Sequence, residues 1–314
     1  MENQEILNAL GNLIQNQVNK NNMDINIAYQ NFIQKAKCTC RESTISYYNK
    51  KFKLLKETLS AIGVNNLSDI NKVIYNKLIL ILKNSRYKNN TINKVCDLLK
   101  SIFKTNVELG FIQSNPLAGI KKLKEDNVMI IIIKKLILNR IFDYLFNLKE
   151  NFYNIRNTLA ILLLNDTGVR INELVHVKWK NINIEENTIY LDFTKTIKTR
   201  FVYFQEVTKK YMLKYLSYHS KKCEYLFITK KDTQMNVDSV YDFISQIKQT
   251  LNIENSISPH KWRHTFATKL IEENVNLDSI MKVLGHTQYT TTARYLHQQQ
   301  TKIKNDILKA IKKR

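Results

Sequence analysis

Three short stretches in the second half of the chain carry most of its information. They read Thr167-Gly168-Val169-Arg170-Ile171-Asn172-Glu173-Leu174, His260-Lys261-Trp262-Arg263-His264-Thr265 and Leu284-Gly285-His286, and Tyr295 follows them. Two guanidinium groups can hold the non-bridging oxygens of a phosphate. A tyrosine hydroxyl can attack the phosphorus and form a covalent intermediate. The ordered set of arginines, histidines and tyrosine therefore indicates cleavage of a phosphodiester.

The charge of the chain points to a polyanionic partner. The 314 residues give room for one or two domains with a real hydrophobic core. The net charge is +22, from 49 Lys and Arg against 27 Asp and Glu, which is far more than solubility requires. The excess is spread over both halves of the chain, which favours a partner that both halves touch. The alternative is a lysine-rich compositional bias, since Asn, Ile and Lys dominate throughout.

Neither a membrane nor an oxidising compartment is indicated. Apolar runs such as residues 128–133 fall well short of the roughly 20 residues that a membrane span needs. The first residues lack the charged and apolar regions of a signal peptide. The four cysteines are too scattered for a disulfide framework, and Cys38-x-Cys40 lacks a second pair of metal ligands. We therefore expect reduced thiols and a cytoplasmic location.

Hydrophobic periodicity predicts a helical bundle over about residues 25–120. One helical face carries Tyr48, Phe52, Leu55, Leu59 and Ile62 and ends at Gly63. A second helix is predicted to be capped by Ser68 and to run through Ile70, Val73, Leu78 and Ile81. A third is predicted to start at Thr91, to bury Ile92, Val95, Leu99, Ile102 and Phe103, and to end at Gly110. We assign residues 1–120 to a helical domain and 121–135 to a linker.

The second domain is predicted to be mostly helical with a small antiparallel sheet. Helical patterns cover residues 136–148 and 156–164, and two β-rich runs, 187–193 and 200–204, flank a predicted hairpin turn. Helical patterns then continue to the end of the chain. The chain has only six glycines, so Gly168 is expected where the backbone must bend. That bend would present Arg170 at the start of a helix, where backbone amides also favour phosphate.

At this point the chain can be compared with a family. Residues 136–298 resemble the catalytic domain of the tyrosine recombinases, the phage-integrase and Xer-type family. The stretch around Arg170 resembles the family's first box, His260-x-x-Arg263 its second, and His286 its next histidine. Tyr295 lies nine residues further on, at the family's usual spacing for the nucleophile. Residues 25–120 resemble the family's SAM-like core-binding domain, so the implied fold is mostly α, a helical bundle followed by an α+β catalytic domain.

The resemblance also implies a catalytic lysine in the predicted hairpin. Lys195 occupies the family's position, although threonines stand where the family usually has glycines. That departure leaves Lys198 as a rival for the role. We predict that Lys198 and Arg200 otherwise contact DNA.

The resemblance implies the following chemical roles. Arg170 and Arg263 would hold the scissile phosphate and stabilise the transition state without a metal or other cofactor. Tyr295 would attack and leave a 3′-phosphotyrosine, with Tyr289 as the rival nucleophile. Lys195 would protonate the departing 5′ oxygen.

Three further residues receive supporting roles. His260 would act as the base toward the tyrosine hydroxyl, and His286 would hydrogen-bond the phosphate. Glu173, one helical turn beyond Arg170, would orient that arginine. For each, the simple structural alternative is a helix cap or a surface ion pair.

The resemblance implies a site-specific DNA recombinase that exchanges strands through a Holliday junction. The expected partners are double-stranded DNA with inverted-repeat sites, a homotetramer on that DNA and accessory proteins. Both dimer resolution and integration or excision of a mobile element remain open. The residues before about 25 look too short for a separate arm-binding domain. The rival functions are DNA relaxation like that of a type IB topoisomerase, and DNA binding without catalysis.

The tail, residues 299–314, has two interpretations. Ile303, Ile307, Leu308 and Ile311 share one helical face among lysines. A solvated, fraying end is one possibility. We predict instead that this helix docks on a neighbouring protomer, as the family's C-terminal segments often do.

Overall fold

The chain folds as two compact units, Met1–Val128 and Met129–Arg314. The computed structural model describes residues 23–125, 130–192, 199–220, 222–286 and Thr292. The boundary between the units falls inside the segment 121–135 that we predicted as a linker.

The described part of the first unit is a helical bundle built around its last helix. The helices are α1 (Ile25–Thr39), α2 (Glu42–Ser60), α3 (Lys72–Asn84) and α4 (Asn89–Glu108). Helix α4 packs against the other three. Its predicted inward residues are confirmed as buried, namely Ile92, Val95, Leu99, Ile102 and Phe103. The bundle therefore follows from the hydrophobic face of α4, which has partners on several sides.

The prediction for α3 was wrong in its start. Ser68 lies in a short 3-10 helix, and the cap of α3 is Asn71, whose Oδ1 accepts from the amides of Val73 and Ile74. Ile70 therefore lies before α3, and Val73, in its first turn, is 63% exposed. The helix buries Tyr75, Leu78 and Leu82. Ser and Asn are both good cap residues, so the sequence alone did not distinguish them.

The first part of the predicted linker is fastened to the first unit. Asn93 and Leu123 form a reciprocal pair, in which Asn93 Nδ2 donates to the Leu123 carbonyl and the Leu123 amide donates to Asn93 Oδ1, each over 2.9 Å. Asn89 Nδ2 also donates to the carbonyl of Lys124. Because Asn93 is buried, both the N–H donor and the oxygen acceptor of its side-chain amide need these partners. Residues 121–124 are therefore part of the first unit.

The described part of the second unit is mostly helical with a small antiparallel sheet, as predicted. Its helices are α5 (Lys135–Phe146), α6 (Phe152–Thr167), α7 (Ile171–Val175), α8 (Glu206–Tyr218), α9 (Val237–Thr250), α10 (Pro259–Glu272) and α11 (Leu277–Leu284). Helix α6 is buried on several sides and packs against α8 and α10, which makes it the centre of the core. None of the helices in the described ranges combines the length and apolar character that a membrane crossing requires.

The sheet has the strand order β1-β2-β3, with β1 at Ile182–Asn183, β2 at Thr188–Leu191 and β3 at Arg200–Tyr203. Strands β2 and β3 pair antiparallel, with Leu191 opposite Arg200. They lie within the two predicted β-rich runs but are shorter, whereas β1 was not predicted because it has only two residues. The turn predicted at 194–199 lies almost wholly outside the described residues.

The fastening of residues 121–124 can be tested by proteolysis. Asn93→Ala removes the reciprocal pair, so trypsin should cut after Lys121, Lys122 and Lys124 faster. Losing about 1–2 kcal/mol of local stability corresponds to roughly 5- to 30-fold faster cleavage. The rate is measured by gel and mass spectrometry of the native protein. Asn90→Ala, an exposed substitution on the same helix, is the matched control, and equal rates for the two variants would contradict the assignment.

Candidate active site

The turn after α6 places Arg170 where the sequence predicted it. Gly168 ends α6 in the left-handed region, with φ at 57°, and Arg170 becomes the N-cap residue of α7. A side chain at Gly168 would meet Phe266 of α10, since an added Cβ would lie 2.4 Å from a ring carbon. Both the backbone angle and this close packing therefore require glycine here.

Arg263 joins the three sequence stretches physically. It lies in α10, which begins at Pro259, and it is only 5% exposed. Its Nη1 donates to the Gly168 carbonyl over 2.8 Å, and its Nη2 donates to the Leu284 carbonyl over 2.6 Å. One guanidinium thus connects the turn before Arg170 to the helix end before His286.

The C-terminal end of α11 binds three arginines. Successive carbonyls of Val283, Leu284 and Gly285 lie 2.6, 2.6 and 3.4 Å from nitrogens of Arg200, Arg263 and Arg170, respectively. The last carbonyls of a helix have no partner within the helix, and the helix dipole makes that end attractive to cations. Gly285 ends the helix with a φ of 65°. The three guanidinium groups are therefore gathered around one short segment of backbone.

Glu173 balances this cluster from the interior. Its carboxylate is 2% exposed and accepts from the Arg170 amide and side chain and from two nitrogens of Arg200, over 2.7–3.1 Å. Burial by itself raises the pKa of Glu173, but hydrogen bonds and charge from Arg200, and then Arg170, outweigh it and hold the pKa below its ordinary value. The carboxylate is therefore charged, and it touches Arg170 as the sequence predicted.

Arg200 lies in the interior, which argues against the predicted contact with DNA. Its side chain is 7% exposed and its guanidinium faces Glu173 and the Val283 carbonyl. The alternation along β3 could have shown this, because Arg200 shares a face with buried Val202 while Phe201 and Tyr203 point outward.

Three histidines near the arginines have lowered pKa values. His260, in the first turn of α10, remains accessible, yet partial covering of its ring and then the charges of Arg263 and Arg170 lower its pKa. For His286, burial and then the same arginines lower the pKa to about 4, and Nδ1 lies 2.7 Å from the Thr292 hydroxyl. His264 is lowered to about 4 by burial and then by Lys261. His264 and His286 are therefore neutral at pH 7.

The structure brings together Arg170, Glu173, Arg263 and His286, which the sequence had placed in one site. His260 lies close enough to the arginines for their charge to act on its ring. Lys195, Lys198, Tyr295 and the rival Tyr289 lie outside the described residues. The described arrangement combines an excess of positive charge with neutral imidazoles, which suits an anion such as a phosphate diester.

Three sequence comparisons show what the chain is similar to. Residues 137–302, more than half of the chain, match the model of the phage integrase family. A probable integrase/recombinase of Acholeplasma phage L2 is 28% identical over 87% of this chain and 93% of its own. Tyrosine recombinase XerC of Vibrio cholerae is 25% identical over 80% of both chains.

The fold is also that of a solved structure in this group. The Tn1549 transposon integrase, solved in complex with a circular intermediate DNA, superposes with a TM-score of 0.71 at 18% identity. The alignment covers 85% of this chain and 94% of that one.

The family match places the chain in an enzyme class, the DNA strand-cleaving and rejoining recombinases. The chain belongs to the phage integrase family of tyrosine recombinases. It is therefore a DNA-binding enzyme of site-specific recombination.

The neutral histidines give the protein a defined dependence on pH. The pKa of His286 is about 4 in the folded protein against an ordinary value of 6.5, so the unfolded chain binds more protons between these values. The contribution of His286 to the free energy of unfolding is therefore complete above about pH 6.5, and it is lost as the pH drops toward 4. We expect the melting temperature of His286→Gln to fall less than that of wild type when the pH is lowered from about 7 to 5.

Thermal unfolding followed by circular dichroism measures this difference. His176→Gln is the control, because this histidine contacts Tyr225 by an edge-on ring contact and stands outside the arginine cluster. A His286→Gln variant with the same pH dependence as wild type would contradict the assigned environment of His286.

Proposed function

We propose that this protein is a recombinase that acts through a 3′-phosphotyrosyl intermediate and a Holliday junction. The observation that carries the proposal is the fastening of Arg170 and Arg263 to the same helix end. Their guanidinium groups are held by neighbouring carbonyls, over 3.4 and 2.6 Å, before any substrate arrives. Preorganised charge of this kind stabilises a transition state without reorganisation during the reaction.

The proposed first step transfers one strand to the enzyme. The Tyr295 oxygen attacks the phosphorus, the bond to the 5′ oxygen breaks, and the tyrosine proton passes to His260. Lys195, with Lys198 as the alternative, gives a proton to the departing 5′ oxygen. The lowered pKa of His260 supports this role, because a base must be neutral before it accepts a proton.

The remaining residues hold the phosphate in place. Arg170 and Arg263 bind its non-bridging oxygens, and Glu173 orients Arg170. His286 donates a hydrogen bond from Nε2 when the Thr292 hydroxyl donates to Nδ1. Attack by the 5′-hydroxyl of a second strand then reverses the chemistry, so strands are exchanged without ATP.

The net charge of +22 supports binding to duplex DNA through phosphate contacts, with an affinity that falls steeply as salt rises. We propose assembly as a homotetramer on inverted-repeat sites, with accessory proteins where the reaction needs direction. Cys38, Cys40, Cys96 and Cys223 are free thiols, which is consistent with the proposed cytoplasmic location.

The relatives favour movement of a mobile element. One is a phage protein described as a probable integrase/recombinase, and the structural neighbour is a transposon integrase. Resolution of dimers is the other candidate process, supported by the similarity to XerC. Both processes use the same chemistry on different DNA sites.

The chemistry is tested with nicked suicide DNA that carries the repeats flanking the gene or element. Wild type should form a denaturant-resistant protein–DNA adduct without added metal, because the arginines supply the positive charge. Tyr295→Phe should reduce the adduct at least about 1000-fold, since the attacking hydroxyl is gone. Tyr289→Phe is the matched control and should keep it.

Other outcomes identify the rivals. Loss of the adduct in Tyr289→Phe alone would reassign the nucleophile. An adduct accompanied by relaxation of supercoiled DNA, without exchange of strands between two sites, would favour the topoisomerase-like activity. Tight binding to this DNA without any adduct would favour a DNA-binding protein that lacks catalysis.

The tail is tested by deleting residues 299–314. If its apolar face docks on a neighbouring protomer, the deletion should reduce tetramer assembly on DNA at least about tenfold while a single protomer still binds one half-site. Analytical ultracentrifugation and gel shifts with one-site and two-site DNA measure this. Replacing four lysines of the tail by glutamines is the control for its charge. Unchanged assembly of the deleted protein would support the fraying tail.

A further inference from the structure

We propose that Arg200 is a positioning residue for the cleavage reaction, acting through Glu173 to leave the charge of Arg170 available to the phosphate. The inference rests on the proposed function. Arg200 acts on the reaction without touching the DNA.

All three nitrogens of the planar Arg200 guanidinium group donate hydrogen bonds. Nη1 and Nη2 donate to the two oxygens of Glu173 over 3.1 and 2.7 Å, and Nε donates to the Val283 carbonyl over 2.6 Å. Only arginine can make a bidentate carboxylate contact and a third bond from the same rigid group. Arg200 therefore fixes Glu173 against the end of α11.

The charge of the cluster depends on this second arginine. Glu173 paired with Arg170 alone would form a neutral ion pair and draw the guanidinium away from an incoming anion. With Arg200 present, two arginines share one carboxylate, and the group of three keeps a net positive charge. Arg170 is the more accessible of the two, with a side chain 26% exposed against 7% for Arg200. The surplus charge is thus presented on Arg170.

The position of Arg200 also links strand β3 to the backbone before His286. A Cβ at Gly285 would lie 2.9 Å from Arg200 Nη1, so the guanidinium occupies the space that a side chain would need. Arg200 is the first residue of β3, and the described chain resumes only at Thr199. The start of β3 is therefore fixed, through the Val283 carbonyl, to the same helix end whose next two carbonyls hold Arg263 and Arg170.

The test separates positioning from DNA contact and from folding. Single-turnover cleavage of suicide DNA is measured at saturating enzyme, together with DNA affinity at several salt concentrations, for wild type, Arg200→Gln, Glu173→Gln and the double variant. Arg200→Gln should slow cleavage at least about tenfold while DNA affinity changes less than about threefold. The double variant should cleave faster than Arg200→Gln alone, because the carboxylate that captures Arg170 has been neutralised.

Two further variants define what a purely structural effect would look like. Arg156→Gln removes another buried arginine of the same unit, one that donates to the Ile228 carbonyl away from the cluster. It should lower the melting temperature and leave cleavage by the bound enzyme unchanged. Arg200→Lys keeps the charge without the fork, so it should cleave faster than Arg200→Gln and slower than wild type.

Each contrary result has its own meaning. If Arg200 contacts DNA, Arg200→Gln should weaken binding and reduce the salt slope by about one, with no recovery in the double variant. If Arg200 only stabilises the fold, Arg200→Gln should behave like Arg156→Gln. Either result overturns the inference and leaves the proposed function intact. A wild-type protein that forms no adduct overturns the proposed function, and the inference falls with it.

Discussion

The described site depends on one helix end. Three carbonyls at the end of α11 have no partner within the helix, and three arginines from different parts of the second unit donate to them. Each arginine comes with its own element: Arg170 with α7, Arg200 with β3 and Arg263 with α10. The bonds that satisfy the backbone of α11 are therefore the same bonds that assemble the site. Stability and chemistry are not separable at this point of the structure.

Like charges gathered this closely would repel each other without Glu173. This one buried carboxylate pairs with two of the arginines and receives four hydrogen bonds from them, so the three groups together keep one net positive charge. Burial, and then the surplus positive charge of the arginines, lower the pKa of His286 to about 4 and keep it neutral near physiological pH. The described cluster therefore places neutral imidazoles beside cationic guanidinium groups.

The sequence predicted the parts of the site whose position follows from local rules. Gly168 must bend the chain, so Arg170 was correctly expected at the start of a helix. The hydrophobic face of α4 was correct for the same reason, since periodicity is a local property. The start of α3 was wrong because two residue types cap equally well and only the packing decides between them. The partner of Arg200 lies 27 positions away in the chain, and no local rule reports such a contact.

The glycines at the ends of α6 and α11 have a consequence for how such proteins diversify. Gly168 is confined by Phe266 and Gly285 by Arg200, so each glycine is tied to a side chain from a distant stretch. All of these partners, and every contact described for the arginine cluster, lie within residues 129–314. An exchange of gene segments with its breakpoint inside this unit would separate residues that fit only each other. A breakpoint near residue 128 would carry the cluster across whole, so a different first unit could be joined to it while every one of these contacts is inherited unchanged.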